Sequence, residues 1–93
     1  MARLAARVDS NQEQIVSALR DAGACVQSLA AIGKGCPDLL VGYGCPASLF
    51  LMELKTGKAK PNEKQAKWHA GWKTAVLVVY GPEDALKAIG AIK

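Results

Sequence analysis

The sequence is short of aromatic residues and of long hydrophobic runs. It has two tryptophans, two tyrosines and one phenylalanine among its 93 residues, so Ala, Val, Leu and Ile must fill most of its core. No apolar run approaches the ~18 residues that a transmembrane helix needs, and no membrane partner is expected. Residues 1–8 contain no apolar segment of the kind that a secretory signal carries.

Cysteine and histidine are also scarce. The three cysteines, Cys25, Cys36 and Cys45, are odd in number and form no C-x-x-C pair. A disulfide framework is therefore not expected, and a reducing, cytoplasmic compartment fits better. A zinc site made by these thiols and the single histidine, His69, stays conceivable, although their spacing matches no zinc finger or ribbon.

Acidic residues are fewer than basic ones. The chain has 12 Lys and Arg against 8 Asp and Glu, with a formal net charge of +4 and a pI near 9.1. A basic surface favours a polyanionic partner such as nucleic acid, because Lys and Arg release phosphate counterions. A charge this modest serves solubility equally well. Residues 1–9, which include Arg3 and Arg7, are predicted to form a short flexible basic arm.

Hydrophobic residues make up 51% of the chain, which is typical of a globular protein, and residues 1–93 are predicted to form a single domain. Apolar periodicity and turn residues predict a helix over 11–22, strands over 24–29, 38–42 and 48–55, a helix over 62–73, a strand over 74–80 and a helix over 82–89. This order, α-β-β-β-α-β-α, predicts an α/β fold with a mixed central sheet flanked by helices.

Two short motifs carry the chemistry: Asp38 after a proline, and Glu53-Leu54-Lys55 after a gap of fourteen residues. Side chains alternate along a strand, so Glu53 and Lys55 share one face. If the strand that Asp38 opens pairs with the next one, the two carboxylates converge near a sheet edge. Convergent carboxylates favour a hard divalent cation, to which the Leu54 carbonyl could add an oxygen ligand. Lys55 beside that cation could orient a water or favour its ionisation.

Each motif by itself has an ordinary explanation. Pro-Asp is common at turns, and Glu-x-Lys is often only a surface ion pair. A structural interaction protein whose acidic residues form only such ion pairs is therefore one alternative. The combination is more specific, because the two motifs have the right order and gap, with a hydrophobic strand at each and an amphipathic helix before them.

The motif residues lie in longer segments that together resemble a known family. These segments are Gly35-x-Pro37-Asp38-Leu39-Leu40-Val41-Gly42, then Phe50-Leu51-Met52-Glu53-Leu54-Lys55, then Gln65 followed by Trp68. With them the chain resembles the PD-(D/E)XK nucleases, and among those the VRR-NUC group of small, often phage-encoded, nucleases. The resemblance extends over about residues 11–80. It implies a restriction-endonuclease-like αβββαβ core, in agreement with the predicted element order.

The resemblance also implies roles for individual residues. Asp38 and Glu53 would bind Mg²⁺ or Mn²⁺, and Lys55 would assist the attacking water. Many members carry an acidic residue on the first helix, for which Glu13 is the best match; its alternative role is to complement the helix N-terminus. Gln65 matches a glutamine of the group that could bind a metal-bound water or a phosphate, and it could equally be an ordinary exposed helix residue.

Four lysines cluster just after the Glu53-Leu54-Lys55 motif, and with Lys34 before the first motif they bear on DNA binding. A phosphate-tracking surface, or simply a solvated face, is expected from five lysines: Lys34, Lys58, Lys60, Lys64 and Lys67. Trp68 and Trp72 are four residues apart on one helix face, and they are expected to be packed core rather than base-stacking platforms. His69 could act as a general base, but the family that the chain resembles does not need one, and a partly exposed structural histidine is expected instead.

The resemblance therefore implies a Mg²⁺- or Mn²⁺-dependent DNA endonuclease that leaves 5′-phosphate and 3′-hydroxyl ends. Structure-selective cleavage of a Holliday junction or a flap, by a homodimer with two cleavage centres, is expected in the cytoplasm of a bacterium or of a phage-infected cell. The alternative is a non-catalytic nucleic-acid-binding subunit of a larger repair or replication assembly. The intact set of Asp38, Glu53 and Lys55 argues against that alternative.

Overall fold

The helices and strands follow one another in the predicted order. The computed structural model describes residues 10–93, and the predicted basic arm over 1–9 lies outside the described residues. The elements are α1 (Ser10–Asp21), β1 (Cys25–Ser28), β2 (Leu39–Gly44), β3 (Ala47–Leu54), α2 (Glu63–Gly71), β4 (Val76–Val79) and α3 (Pro82–Ala88). No helix within 10–93 combines the length and apolarity that crossing a bilayer requires.

The four strands form one mixed sheet with the order β1-β2-β3-β4. The pairs β1–β2 and β2–β3 are antiparallel, and the tight β2–β3 hairpin pairs Gly44 with Ala47. The pair β3–β4 is parallel, so its connection must cross over the sheet, and α2 lies in that connection. The predicted α/β fold with a mixed sheet is confirmed at this level.

The hydrophobic core lies on one face of the sheet, beneath α1 and α3. It is formed by Ile15, Leu19, Ala24, Leu39, Val41, Met52, Val79, Ala85 and Ile89. Because side chains alternate along a strand, the neighbours of these strand residues point to the opposite face. That second face carries Leu40, Leu51 and Glu53, and it is the face on which α2 lies.

Helix α2 is short and has no buried residue. Its N-terminus is closed by a capping box, in which the Asn62 side chain accepts a hydrogen bond from the Gln65 N–H and the Gln65 side chain accepts one from the Asn62 N–H, both at 2.9 Å. Such a cap contributes about 1 kcal/mol to a helix that is too short to be stable alone. The cap therefore determines where α2 begins.

The loop before β2 touches α2 at a single tight point. Gly35 has φ +83°, and a Cβ built there would lie 2.6 Å from the backbone carbonyl oxygen of Lys64. A real Cβ does not approach a backbone atom so closely, so only glycine permits this contact. The contact holds the loop that precedes Asp38 against the first turn of α2.

Gly35→Ala is expected to destabilise the protein by about 2 kcal/mol or more, since the left-handed conformation alone costs an alanine about 1–2 kcal/mol and the clash with Lys64 adds to it. Urea denaturation measures the change. Gly57→Ala is the matched control, because Gly57 also has a positive φ, +59°, but has no heavy atom within 4 Å of its Cβ position. Equal losses in the two variants would show that the contact with α2 contributes nothing.

Candidate active site

Asp38 is held at the point where β2 begins. Its backbone N–H donates to the Met52 carbonyl at 2.9 Å, and its carbonyl accepts from the Leu29 N–H at 2.8 Å. Its carboxylate oxygen Oδ2 accepts from the Leu54 N–H at 2.7 Å. The Leu54 N–H at the end of β3 is thus paired with a side-chain oxygen of Asp38. A carboxylate bound in this way is fixed beside β3 before any ligand arrives.

Glu53 is the buried acidic residue at the centre of this site. Its side chain is 1% exposed, and its carboxyl shares a hydrogen bond with that of Asp38. Oxygen Oε2 accepts from Gln65 Nε2 at 2.7 Å and lies 4.0 Å from Lys55 Nζ. Oxygen Oε1 is buried and has no hydrogen-bond partner among residues 10–93. The two acidic groups therefore meet across β2 and β3, with the Lys55 ammonium alongside.

Gln65 connects the cap of α2 to the Glu53 carboxyl. Its Oε1 is used by the Asn62 N–H in the capping box, so the amide nitrogen must point away from Asn62. That nitrogen donates to Glu53. The same contacts that start the helix therefore fix the orientation of the amide, and the amide fixes one oxygen of the carboxylate.

His69 lies one turn after Gln65 on the same helix face. Its Nε2 is 3.7 Å from Glu53 Oε1, and within residues 10–93 neither atom has a hydrogen-bond partner. Burial, and then the positive charge of Lys55, lower the pKa of His69 below its usual value, which favours a neutral imidazole. The side chain is partly exposed, as expected, but it borders the site. The signal in the sequence was its spacing of four from Gln65.

The electrostatics of the site reflect two acids in a poorly solvated place. Burial, followed by the hydrogen bond and the negative charge of Asp38, raises the pKa of Glu53 to about 8, while Lys55 opposes the shift. Without a cation Glu53 is therefore mostly protonated at neutral pH. Burial, followed by the charges of Glu53 and Asp38, also raises the pKa of the Cys36 thiol, so this group is not a thiolate nucleophile.

The oxygen atoms at the site fit a hard divalent cation. Glu53 Oε1 is a buried acceptor without a partner in the described chain, and Asp38 supplies a second carboxylate. The Leu54 carbonyl points to the same side of β3 as its N–H, which meets Asp38. Among residues 10–93 there is no group of three or more His, Cys, Asp or Glu placed to hold a metal. Mg²⁺ is commonly held by one or two carboxylates, with waters and substrate phosphates as its other ligands.

The conceivable zinc site is not formed in the part of the chain that the structure describes. Cys25, Cys36 and Cys45 are free thiols, and no cluster of them with His69 has metal-binding geometry. Cys36 nevertheless lies beside Asp38 and Gln65 in the wall of one small cavity. Sequence reasoning assigned it no place at the site, because nothing in the spacing connects it to Glu53.

Glu13 is not brought to the other two acidic residues. It is exposed, and it lines a surface cavity with Val16, Arg20 and Val26 on the side of α1 that faces β1. Another residue of α1, Asn11, does contact the end of the motif, because its Nδ2 donates to the Lys55 carbonyl at 3.5 Å. Sequence reasoning did not single out Asn11. The catalytic role of Glu13 stays a prediction.

The five lysines are exposed, and they lie in three segments: the loop before β2, the loop after β3 and helix α2. Lys64 lines a cavity of about 260 Å³ together with Gly35, Asp38 and Gln65, and Lys67 follows one turn later on α2. Lys34 is in the loop that Gly35 holds against α2. Lys58 and Lys60 belong to the exposed loop after β3, which the Tyr80 hydroxyl ties down by donating to the Ala59 carbonyl at 3.1 Å.

The two tryptophans stack on each other instead of entering the core. Their ring centroids are 4.7 Å apart with an interplanar angle of 13°. The expectation of a packed core residue is wrong for Trp72, whose side chain is 56% exposed, and Trp68 is half-buried outside the core cluster. The reason is the position of α2, which lies on the sheet without any of its own residues becoming buried.

No protein-family model, curated protein or solved structure matches the chain significantly.

Proposed function

We propose that this chain is a Mg²⁺- or Mn²⁺-dependent nuclease of the PD-(D/E)XK kind that hydrolyses phosphodiester bonds in DNA. The observation that carries the proposal is the meeting of the Asp38 and Glu53 carboxyls, with Lys55 on the same face of β3. Two acids forced together under burial are a destabilising arrangement unless a cation joins them. An arrangement of this kind is typical of a functional site.

The residues of the site would have two different roles, metal binding and orientation of a metal ligand. Asp38 and Glu53, with the Leu54 carbonyl, would hold the divalent ion, which when bound supplies positive charge to the scissile phosphate and lowers the pKa of a water. The hydrogen bond from Gln65 keeps the Glu53 carboxylate in one orientation. Such outer partners are commonly worth about 10- to 100-fold in metal affinity or activity.

Lys55 is placed to act on the reacting groups. Its side chain is 19% exposed, so its ammonium is reachable from solvent, while Glu53 beneath it is not. From this position it can donate a hydrogen bond to the attacking water or to a phosphate oxygen as negative charge develops there. It also offsets part of the negative charge of Glu53.

DNA would approach along the exposed lysines. Lys64 shares a cavity with Asp38, and it lines a second surface cavity with Lys67. Lys34 lies between Gly33 and Gly35, which line the first cavity. These residues suit contacts with the sugar–phosphate backbone, which orient a strand without reading its sequence. Selectivity for a junction or flap, and a homodimer that presents two such centres, are parts of the proposal that the family resemblance supports.

The test is a cleavage assay with Mg²⁺ on linear, flapped and four-way DNA. Wild type is expected to cut at least one of these substrates, and Asp38→Asn is expected to lose at least about 100-fold, since it weakens a direct metal ligand. The asparagine can still accept from the Leu54 N–H, so the fold is preserved. Asp21→Asn, at an exposed carboxylate near the end of α1, is the matched control and should cut normally.

Calcium separates the proposal from a non-catalytic DNA-binding subunit. With Ca²⁺ in place of Mg²⁺, wild type is expected to bind DNA without cutting it, because Ca²⁺ has longer bonds and looser geometry than Mg²⁺. Binding without cleavage in both Mg²⁺ and Mn²⁺ would favour the subunit instead. Equal cleavage by wild type and Asp38→Asn would remove the assigned site.

A further inference from the structure

An open apolar cleft lies next to the candidate active site, on the face of the sheet that α2 partly covers. It encloses about 520 Å³, and its lining is almost wholly apolar, with Leu40, Leu51, Trp68 and Trp72 among its walls. Ile32 and Leu49 line it as well. Ile32, Leu49 and Trp72 are 58%, 71% and 56% exposed. These are the three most exposed large hydrophobic side chains among residues 10–93, so exposed apolar surface is concentrated here.

The cleft is continuous with the site. Cys36 lines both the cleft and the smaller polar cavity that contains Asp38 and Gln65. In addition, the ring of Trp68 meets that of His69 edge-on at 6.4 Å, and His69 Nε2 lies 3.7 Å from Glu53 Oε1. Cys36 and His69 thus each adjoin both a tryptophan of the cleft and an acidic residue of the site.

Positive charge lies in the cavity that adjoins the cleft. Lys64 lines that cavity together with Cys36, and Lys64 and Lys67 line a further surface cavity on α2. Lys34, in the same loop as Ile32 and Cys36, is exposed. An apolar cleft that adjoins a cavity with a lysine complements a ligand that has a flat apolar part joined to an anionic one. A nucleotide within a strand is such a ligand.

We propose that this cleft holds an unstacked nucleobase of the DNA strand whose phosphate lies at Asp38 and Glu53. The inference rests on the proposed nuclease function and names its substrate class, which is DNA with an unpaired nucleotide beside the cleavage point. The exposed part of Trp72 provides the stacking surface, and Lys64 contacts the backbone. Because the lining offers almost no hydrogen-bonding groups, the base is held by stacking and not by its identity.

The test compares two strands of equal charge. One is a 12-nucleotide oligothymidylate, and the other is the same deoxyribose phosphate chain without bases. Both are titrated against the full chain with Ca²⁺ in place of Mg²⁺, so that a cation is present at the two acids and no cleavage is expected. The thymidylate is expected to bind at least about fivefold more tightly, the lower end of what a stacked base contributes, and to quench the tryptophan fluorescence. Equal affinity for the two strands, or binding without quenching, would overturn the inference.

Variants of Trp72 locate the effect. Trp72→Ala is expected to remove most of the difference between the strands and Trp72→Phe to keep part of it, while Ile92→Ala, at an exposed apolar residue that does not line the cleft, should leave it unchanged. Circular dichroism checks that each variant is folded. Sedimentation of the same variants tests whether a second copy of the chain occupies the cleft. If Trp72→Ala converts a dimer into a monomer and still binds both strands as wild type does, the cleft is a contact between copies. The inference is then wrong.

The failure of this inference is distinguishable from the failure of the nuclease proposal. Base-dependent binding in Ca²⁺ that persists in a chain unable to cut with Mg²⁺ or Mn²⁺ would retain the nucleobase cleft on a non-catalytic DNA-binding protein. Cleavage with Mg²⁺ by a chain that binds both strands equally would retain the nuclease and remove the cleft.

Discussion

Replacing Glu53 by glutamine is expected to abolish cleavage and, in the same variant, to stabilise the metal-free protein at pH 8. Cleavage should fall at least about 100-fold, because a neutral amide is a much weaker ligand for Mg²⁺ than a carboxylate. Stability should rise because the buried negative charge beside Asp38 is removed. Gln65 can still donate to the new side chain's amide oxygen, so the local contacts are kept.

The raised pKa of Glu53 determines how the stability of the metal-free protein changes with pH. The pKa of Glu53 is about 8 in the folded protein against 4.5 as its ordinary value, so between these two pH values the folded state binds more protons than the unfolded state. The stability of the metal-free wild type should therefore fall as pH rises from about 4.5 to about 8, by at most about 1.4 kcal/mol per unit. Over the whole interval the loss attributable to Glu53 is as much as about 4 kcal/mol.

Urea denaturation in EDTA at pH 5 and pH 8 measures this effect. Glu53→Gln should lack most of the slope, and Mn²⁺ should reduce the slope of wild type by binding the ionised carboxylate. Glu83→Gln, at an exposed carboxylate on α3, is the control, and its stability should differ from that of wild type by less than about 1 kcal/mol. Parallel losses of stability with pH in wild type and Glu53→Gln would contradict the assignment of the raised pKa to Glu53.

Lys55→Met is expected to slow cleavage by about 10²- to 10³-fold while leaving DNA binding in Ca²⁺ nearly unchanged. The reason is that in the proposed reaction the ammonium would act on charge that develops in the transition state, whereas methionine keeps the length and packing of the side chain without that charge. Single-turnover cleavage with Mg²⁺ measures the rate, and calorimetry with Mn²⁺ measures metal binding separately.

Two further variants test whether the loss of activity depends on the positive charge at position 55. Lys55→Arg retains the charge and should retain part of the rate, and Lys93→Met, at an exposed lysine outside the site, should cut as wild type does. A Lys55→Met variant that loses DNA affinity and cleavage in the same proportion would show that Lys55 only binds the substrate.

The order and approximate limits of the elements were determined by the sequence alone, because they depend on local interactions. The apolar run at Val76–Val79, the capping residue Asn62 and the proline at the start of α3 each act over a few neighbouring residues. The approach of Asp38 to Glu53 was also predictable. Both lie on adjacent strands of one short hairpin, and side-chain alternation on those strands leaves few possible registers.

Tertiary structure decided which groups surround those two acids. The sequence contains α2 but not its position over the sheet, and it is this position that buries Glu53, brings Gln65 and His69 to its two oxygens, and leaves Trp72 exposed. The rotation of α1, which is set by the burial of Ile15 and Leu19, similarly directs Glu13 away from the site. Helix periodicity shows which residues share a face, but only the packing of that face against the rest of the chain determines what they meet.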